Sequence, residues 1–250
     1  MTSIAQKVRN KNPLIHHLTN QVVMNFTANG LLSYGGSPIM AKEPLEMADM
    51  ASIANGILIN IGTLTETDLI AMLIAGKTAN ENNIPTVLDP VGVAATSFRS
   101  ESVKKLLENI NFTVIKGNAG EMAHLVNVPW ATKGVESIDD DLSQLEEIAR
   151  KVALKYNTIA VVTGEIDIIS NGTKHVKNTS GHEFLTKVTG AGCLLGSIIA
   201  ASIASTSNSF TATIEAVEFY GKASEYAIKN SSVNGAGTFI PHFLDALRNK

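Results

Sequence analysis

The chain has 250 residues, of which 44% are hydrophobic and 17% charged, and this composition excludes a disordered protein. Its formal net charge is −3 with both signs interspersed, so we expect no nucleic-acid partner, because phosphate binding needs a basic surface. The single cysteine excludes an internal disulfide, and no apolar run approaches the roughly 20 residues that cross a bilayer, so we expect a cytoplasmic protein without a membrane partner.

Short apolar runs alternate with segments of helical length along the chain. Strands are predicted at 57–61, 85–89, 112–116 and 158–163, and helices at 65–82 and 142–156. A hairpin is predicted across Asn171-Gly172, and three helices follow near 193–205, 210–230 and 239–249. This alternation predicts an α/β fold with a mostly parallel central sheet, helices on both faces and a short antiparallel hairpin at one edge. No linker divides the chain, which predicts one domain over residues 1–250.

Ligands of open α/β sheets bind beyond the carboxyl ends of the strands. In this chain those ends are polar or contain glycine, at 60–63, 89–91, 116–118 and 163–165. Thr163 and Gly164 can hydrogen-bond a nucleotide through hydroxyl and backbone groups. Lys116 is either a counter-charge for nucleotide phosphates or a solvated strand end.

Two carboxylates follow neighbouring predicted strands. Asn118 suits the N-cap of a short helix with Glu121 in its first turn, and the same pair suits a hydrated Mg²⁺ that carries ATP phosphates. Asp89 fits a turn when taken alone, but together with Glu121 it favours a metal or phosphate role. The adjacent His16 and His17 are interpreted as structural, because neighbouring side chains point in different directions.

The most informative segment is a glycine turn near the end of the predicted sheet. An extended run over 184–188 is predicted to break at Gly190-Ala191-Gly192, and a small-residue apolar helix to begin at Cys193. Glycine lets the backbone approach a ligand, and the free N–H groups of a first helical turn favour an anion. The pattern therefore indicates either a plain turn or a phosphate-binding turn beside a titratable thiol. It matches neither the P-loop nor the dinucleotide fingerprint.

Four segments carry a resemblance over nearly the whole chain: TNQVVMNFTANG at 19–30, LINIGT at 58–63, LDPVG at 88–92 and VTGAGC at 188–193. They resemble the hydroxyethylthiazole kinases of the ribokinase-like superfamily, whose Asn-x-x-Glu element is similar to Asn118-Ala-Gly-Glu121. The resemblance implies a ribokinase-like kinase that phosphorylates the alcohol of 5-(2-hydroxyethyl)-4-methylthiazole with ATP and Mg²⁺, in thiamine biosynthesis or salvage. It also implies a homotrimer with active sites at subunit interfaces.

The resemblance also assigns site residues by position. The thiazole pocket would be lined by Asn20, Met40, Gly62, Thr63 and Gly190. ATP would be bound by Lys116, Asn118, Thr163 and Gly164, and Mg²⁺ would be held through water by Asp89 and Glu121. The catalytic turn would consist of Gly190, Ala191, Gly192 and Cys193.

Two positions depart from the common superfamily pattern. Cys193 stands where most ribokinase-like enzymes have an aspartate base, so we assign it alignment and a modest base role, with a pKa that the helix N-terminus would lower. The N–H groups of the turn and Mg²⁺ then carry the larger share of catalysis. Lys116 stands where many relatives have arginine, and it loses the bidentate grip on phosphate.

Four alternative functions are weighed against this one. A kinase of the same fold for a hydroxymethylpyrimidine or a sugar, or an ATP-dependent hydrate dehydratase, would favour aspartate at the position of Cys193. A nucleotide-binding regulator would not need the set of Asp89, Glu121 and Cys193. A dinucleotide oxidoreductase would need the missing fingerprint loop.

Overall fold

The computed structural model of the chain describes residues 2–130 and 138–249. Its strands are β1 (Leu14–Leu18), β2 (Ser37–Ile39), β3 (Gly56–Asn60), β4 (Thr86–Asp89), β5 (Val114–Asn118), β6 (Ile159–Thr163), β7 (Asp167–Ser170) and β8 (His175–Asn178). Its α-helices are α1 (Ile4–Lys11), α2 (Met24–Tyr34), α3 (Met47–Ile53), α4 (Glu66–Glu81), α5 (Ser97–Asn109), α6 (Ala119–Leu125), α7 (Ile138–Tyr156), α8 (Ala191–Ile203), α9 (Ser209–Ile228) and α10 (Ala236–Asn249). Two short 3-10 helices lie at Pro44–Glu46 and Glu183–Lys187.

The strands form an eight-stranded sheet in the order β2-β1-β3-β4-β5-β6-β7-β8. The first six strands in this order are parallel, and β7 and β8 pair antiparallel at one edge. A right-handed helical crossover is the usual way to join parallel neighbours, which explains the alternation seen in the sequence. The predicted fold class and the edge hairpin are confirmed.

Helices cover both faces of the sheet and create two apolar cores. One core joins α1, α2, α8, α9 and α10 to strand side chains such as Leu58 and Val114. The other core lies on the opposite face of the sheet. It joins the helices from α3 through α7 to the strand side chains that point to that face, such as Ile59 and Ile115. Because both faces are covered, all five residues of β3 are buried, as expected of a parallel strand with a continuous apolar run.

Most predicted boundaries agree with the structure within about two residues, and the capping box of Thr65 and Asp68 at α4 is confirmed. The extended conformation predicted for 184–188 is wrong, because Glu183–Lys187 is a 3-10 helix. The Phe184 N–H there donates to Nδ1 of His182 at 3.2 Å, and the Phe184 ring packs edge-on against Phe239 with centroids 5.7 Å apart. Local capping and ring packing thus replace strand pairing.

Helix α8 is fixed against the sheet by β1 and α2. Nε2 of the buried His17 lies 2.7 Å from Oγ of Ser197 on α8. A Cβ on Gly30 would lie 2.4 Å from Cδ1 of Leu194, so any side chain there would displace this leucine where α2 crosses α8. These contacts set the position of the N-terminus of α8 above the carboxyl ends of the parallel strands. In the described part of the chain, no helix is long and apolar enough to cross a membrane.

Candidate active site

The glycine turn begins α8 in a conformation that only glycine adopts readily. Gly190 is the N-cap with φ of +90°, and a Cβ at this position would lie 2.5 Å from Cγ1 of Val23. The first intrahelical bond runs from the Leu194 N–H to the Gly190 carbonyl at 2.8 Å. The amides of Gly192 and Cys193 are therefore at the open end of the helix, where an anion binds.

The amide of Ala191 does not belong to this open pair. Its N–H donates to the Val188 carbonyl at 3.3 Å, which closes the turn that leads into α8. Of the predicted catalytic turn, two amide groups are thus placed to face an anion and a third is used to hold the turn itself.

A buried polar chain leads from the thiol of Cys193 into the sheet. Nδ2 of Asn20 donates to Sγ of Cys193 at 3.4 Å and to Oδ1 of Asn60 at 2.9 Å. Nδ2 of Asn60 donates to Oδ2 of Asp89 at 2.7 Å, and Nζ of Lys116 lies 3.1 Å from the same oxygen. The polar chain joins three strands, the loop after β1 and the first turn of α8, so the relative positions of these elements are tightly defined.

The structure corrects the sequence-based expectation for the Cys193 thiol. Burial, reinforced by the nearby charge of Asp89, raises the pKa of Cys193 above its usual range, although the thiol lies in the first turn of a helix. Desolvation disfavours the thiolate more than the helix terminus and the Lys116 ammonium favour it. Cys193 is therefore a thiol at neutral pH, and the predicted lowering of its pKa is wrong.

Lys116 lies inside the protein. Its side chain is 5% exposed and forms an ion pair with Asp89, which is 1% exposed. Desolvation is the largest single influence on the ammonium and would lower its pKa, but the charge of Asp89 together with the other acidic groups nearby and the hydrogen bond to Asp89 outweighs it, so the pKa is raised. Nζ of Lys116 also donates to the Gly192 carbonyl at 3.0 Å. The interpretation of Lys116 as a solvated strand end is wrong, and its positive charge lies directly beneath the glycine turn.

Glu121 is held at the carboxyl end of β5 by a capping box. Oδ1 of Asn118 accepts from the Glu121 N–H at 3.0 Å, and Oε2 of Glu121 accepts from the Asn118 N–H at 2.9 Å. Oε1 of Glu121 accepts from the Gly92 N–H at 2.9 Å in the loop after β4. The capping interpretation is confirmed, and the carboxylate is fixed at the predicted rim of the sheet.

The donor set near this rim suits a hydrated cation rather than a closed metal cage. The described residues contain no group of three or more His, Cys, Asp or Glu side chains that could hold a metal ion. Oδ1 of the buried Asp89 has no hydrogen-bond partner among them, and each Glu121 oxygen accepts one bond of the two it can take. Mg²⁺ usually keeps several waters and binds one or two carboxylates plus substrate phosphates, so Asp89 and Glu121 fit it.

A ligand-sized cavity opens on one side of the glycine turn. A cavity of about 780 Å³ lies between the end of β6, the 3-10 helix Glu183–Lys187 and α9, and its lining includes Thr163, Gly164, Ala191 and Gly192. Among the described residues, neither Lys116 nor Asn118 lines this cavity. Of the four predicted ATP residues, Thr163 and Gly164 thus line the cavity. Lys116 lies beneath the glycine turn, and Asn118 lies at the carboxyl end of β5.

On the other side of the turn lie three residues predicted for the thiazole pocket. Oδ1 of Asn60 accepts from the Gly62 N–H at 3.0 Å, and Oγ1 of Thr63 accepts from the Gln21 N–H at 3.1 Å. A Cβ on Gly62 would lie 2.8 Å from Cβ of Asn20, so the two segments approach closely. Met40 follows β2, the edge strand beside β1, and lies at the same carboxyl edge.

Arg99 is a site residue that the sequence analysis missed. Its guanidinium donates to the carbonyls of Ile61 and Val91 at 2.7 and 2.8 Å and to that of Gly62 at 2.7 Å. It therefore ties the loop after β3 to the loop after β4. Arg99 lies in the first turn of α5, where the helix dipole disfavours a cation. This unfavourable position was the signal in the sequence that could have indicated a specific role.

Comparison with known proteins gives one consistent answer. The chain matches the model of the hydroxyethylthiazole kinase family over residues 5–249. It is 56% identical to hydroxyethylthiazole kinase 1 of Oceanobacillus iheyensis over 244 residues, which cover 98% of this chain and 94% of the relative.

Solved structures agree with this match. The hydroxyethylthiazole kinase of Pyrococcus horikoshii superposes with a TM-score of 0.89 at 35% identity, covering 99% of this chain and 92% of that one. A ribokinase-like superfamily protein from Enterococcus faecalis has a TM-score of 0.67 at 13% identity, and the match covers 94% of this chain and 86% of that one. The second likeness supports the fold alone.

Proposed function

The chain belongs to the hydroxyethylthiazole kinase family, and from this premise we propose how its residues phosphorylate the alcohol of hydroxyethylthiazole with ATP. The observation that carries the proposal is the position of the Gly192 and Cys193 amides between a ligand-sized cavity and the segment around Asn20 and Gly62. The cavity with Thr163 and Gly164 lies on one side of the turn and takes ATP, and the segment around Asn20 and Gly62 lies on the other and takes the thiazole.

Each part of the site has a role in phosphoryl transfer. The two free amides and the charge of Lys116 beneath them stabilise the negative charge of the transferring phosphoryl group. Asn20 and Gly62 orient the thiazole so that its alcohol points at the turn, with Met40 and Thr63 completing that side. Gly190 brings the backbone close enough for the alcohol and the phosphate to meet. Asn118 acts through Glu121, whose carboxylate it positions.

Mg²⁺ supplies charge neutralisation on the ATP phosphates when it is bound. Glu121 and Asp89 would hold its water shell at the rim of β4 and β5, where Glu121 is already fixed by two backbone N–H groups. Because backbone N–H groups of the chain already hold the Glu121 carboxylate, the site can accept the hydrated ion without rearranging the helix cap.

Assays of ADP release test the activity directly. The purified protein is given ATP and Mg²⁺ with hydroxyethylthiazole, hydroxymethylpyrimidine or ribose as acceptor. Stimulation by the thiazole alone is the expected result. Stimulation by another alcohol would overturn the substrate and keep the kinase chemistry, whereas no stimulation by any of them would overturn the function.

Cys193 is expected to align the acceptor as a thiol rather than to act as a thiolate base. Its pKa is raised in the folded state, so ionisation occurs only at alkaline pH, and turnover should show no thiol-like rise between pH 7 and 8. Cys193→Ala should then lose less than the roughly 100-fold that removal of a general base costs. Cys193→Asp, which restores the common superfamily carboxylate, should keep or raise turnover.

Steady-state kinetics of these variants across pH give the answer. Complete loss of turnover in Cys193→Ala with substrate binding intact would make the thiol a true base. The same conclusion would follow from a pH-dependent rise in the unmodified protein that disappears in the alanine variant.

Glu121→Gln should raise the Mg²⁺ concentration for half-maximal activity about tenfold, as loss of a metal-supporting group usually does. Glutamine at this position can still complete the capping box, so the change removes the charge and keeps the helix start. Titration of kinase activity with Mg²⁺ measures the effect. Asp68→Asn, which removes the corresponding cap carboxylate of α4, is the matched control and should leave the Mg²⁺ requirement unchanged. An unaltered requirement in Glu121→Gln would remove Glu121 from the metal role.

Exposed apolar side chains on one side of the molecule support a homotrimer with active sites at subunit interfaces. Leu45 is 93% exposed in the short helix after Met40, and Ile53 and Ile70 are exposed on α3 and α4, which pack beside it. An interface on this surface would bury them and bring a second subunit close to the thiazole side of the site. Sedimentation velocity at assay concentrations should give the mass of three chains, and a monomer would contradict the assembly.

We further assign residues 1–250 to one kinase domain, because the strand ends of the whole sheet contribute to one site. A cytoplasmic location fits the free thiol of Cys193 within that site, since a reducing compartment keeps it reduced. Fractionation of cells that express the tagged protein tests the location.

A further inference from the structure

Two side chains from the core donate hydrogen bonds to the carbonyl groups of the glycine turn. The hydroxyl of Tyr220 donates to the Ala191 carbonyl at 2.6 Å, and Nζ of Lys116 donates to the Gly192 carbonyl at 3.0 Å. The Ala191 carbonyl and the Gly192 N–H belong to one peptide unit. In the same way, the Gly192 carbonyl and the Cys193 N–H belong to the next. Each of the two amides at the open end of α8 thus lies in a peptide with a donor on its carbonyl.

We propose that Tyr220 is a positioning residue for phosphoryl transfer, which orients and polarises the Gly192 N–H through the Ala191 carbonyl. The proposal rests on the function proposed above and adds to it a residue that the proposed roles do not include. A donor on the carbonyl of a peptide strengthens the N–H of that peptide as a donor, because linked hydrogen bonds polarise one another. The same bond fixes the peptide plane, so the amide is already aimed before ATP binds.

The environment of Tyr220 suits this role. The side chain is 4% exposed, so water does not compete for the Ala191 carbonyl. Burial raises the pKa of Tyr220 well above its usual range, which keeps the hydroxyl protonated and able to donate at any working pH. A neutral donor also avoids adding a second buried charge next to Lys116.

The ring of Tyr220 is held by an aromatic stack from the C-terminal helix. It packs edge-on against Phe243 with centroids 5.0 Å apart, and Phe243 stacks on Phe239 at 5.3 Å. Next to it, Gly221 brings α9 so close to the loop after β8 that a Cβ would lie 2.3 Å from the Ser180 carbonyl oxygen. The hydroxyl is therefore fixed from two sides, which a positioning residue needs.

Tyr220→Phe tests the proposal, because it removes the hydroxyl and keeps the ring. Tyr34→Phe is the matched control, since the Tyr34 hydroxyl is also buried and lies 3.0 Å from Oγ of Ser202, away from the turn. We expect Tyr220→Phe to lower kcat about tenfold, less than the 100-fold or more that a direct oxyanion donor contributes, with KM for both substrates nearly unchanged. Tyr34→Phe should keep the kcat of the unmodified protein.

A spectroscopic measurement separates this role from general stability and from the kinase function. In the protein without ligands, the amide proton of Gly192 should move upfield in Tyr220→Phe and stay in place in Tyr34→Phe, as seen by NMR. An unmoved amide, an unchanged kcat, or an equal loss of kcat in both variants would overturn the proposal. A rise in KM for ATP alone would make Tyr220 a nucleotide contact instead. If the unmodified protein does not phosphorylate hydroxyethylthiazole, the proposed function fails, and the amide shift still decides whether Tyr220 polarises the turn.

Discussion

Replacing Gly190 with alanine should lower kcat by 100-fold or more while the chain still folds. The residue has a φ of +90°, and the new Cβ would lie 2.5 Å from Cγ1 of Val23, so the turn has to shift. A shift of the N-cap moves the Gly192 and Cys193 amides away from the phosphate, and loss of such donors costs about 100- to 1,000-fold in kcat. The backbone strain itself costs about 1–2 kcal/mol of stability.

Gly35→Ala provides the matched control for strain without a site effect. Gly35 has a φ of +115°, and a Cβ there would lie 2.6 Å from Cγ of Arg9. It ends α2 at the amino edge of the sheet, opposite the strand ends that form the site. Thermal unfolding should show a similar loss of stability in both variants, and steady-state kinetics should show a loss of kcat in Gly190→Ala alone. Equal activities in the two variants would mean that the turn tolerates movement.

The sequence was sufficient to predict the middle of the sheet and insufficient to predict its first edge. Strand β3 is a continuous apolar run, and such runs reveal buried parallel strands. Strand β1 contains His16 and His17, which hide its apolar character, although their interpretation as structural is confirmed by burial. Burial lowers the pKa of His17 to about 4, so the ring stays neutral and can be buried in a strand. Its partner Ser197 is far away in sequence, and no local pattern could show it.

The candidate site, like the sheet, could be predicted from the sequence only in part. Glycines and polar residues at strand ends were enough to bring Asp89 and Glu121 to one rim, because the edge of a parallel sheet is set by topology. Asn20 follows the unpredicted β1, and only the family resemblance assigned it to the site. The central role of Asn60 was not predictable. Its side-chain amide forms hydrogen bonds with three neighbouring residues of the site. Tyr220 was missed because its hydrogen bond goes to a backbone carbonyl, which leaves no pattern in the sequence. Arg99 also bonds to backbone carbonyls, and its unfavourable place at the start of α5 was the signal that could have found it.

Removing the charge of Lys116 should be the most destabilising change in the site. Lys116→Met leaves Asp89 buried without its cation, and breaking a buried ion pair from one side costs about 3–5 kcal/mol. Asp89→Asn should cost a similar amount, because it leaves the ammonium unpaired. Lys104→Met, which breaks an exposed pair with Glu108 on α5, is the control and should cost about 0.5 kcal/mol or less. Urea unfolding measures all three.

The double variant Lys116→Met/Asp89→Asn separates stability from catalysis. It leaves no unpaired charge in the core, so most of the stability lost in either single variant should return. Kinase activity should stay low, because the Gly192 carbonyl has lost its donor, the turn has lost the positive charge beneath it, and Asp89 no longer supports the Mg²⁺ ion. If the double variant were as unstable as the single ones, the two charges would not be coupled. If it recovered full kcat together with stability, the ion pair would hold the fold, and the anion would be stabilised by the amides of the turn without help from Lys116.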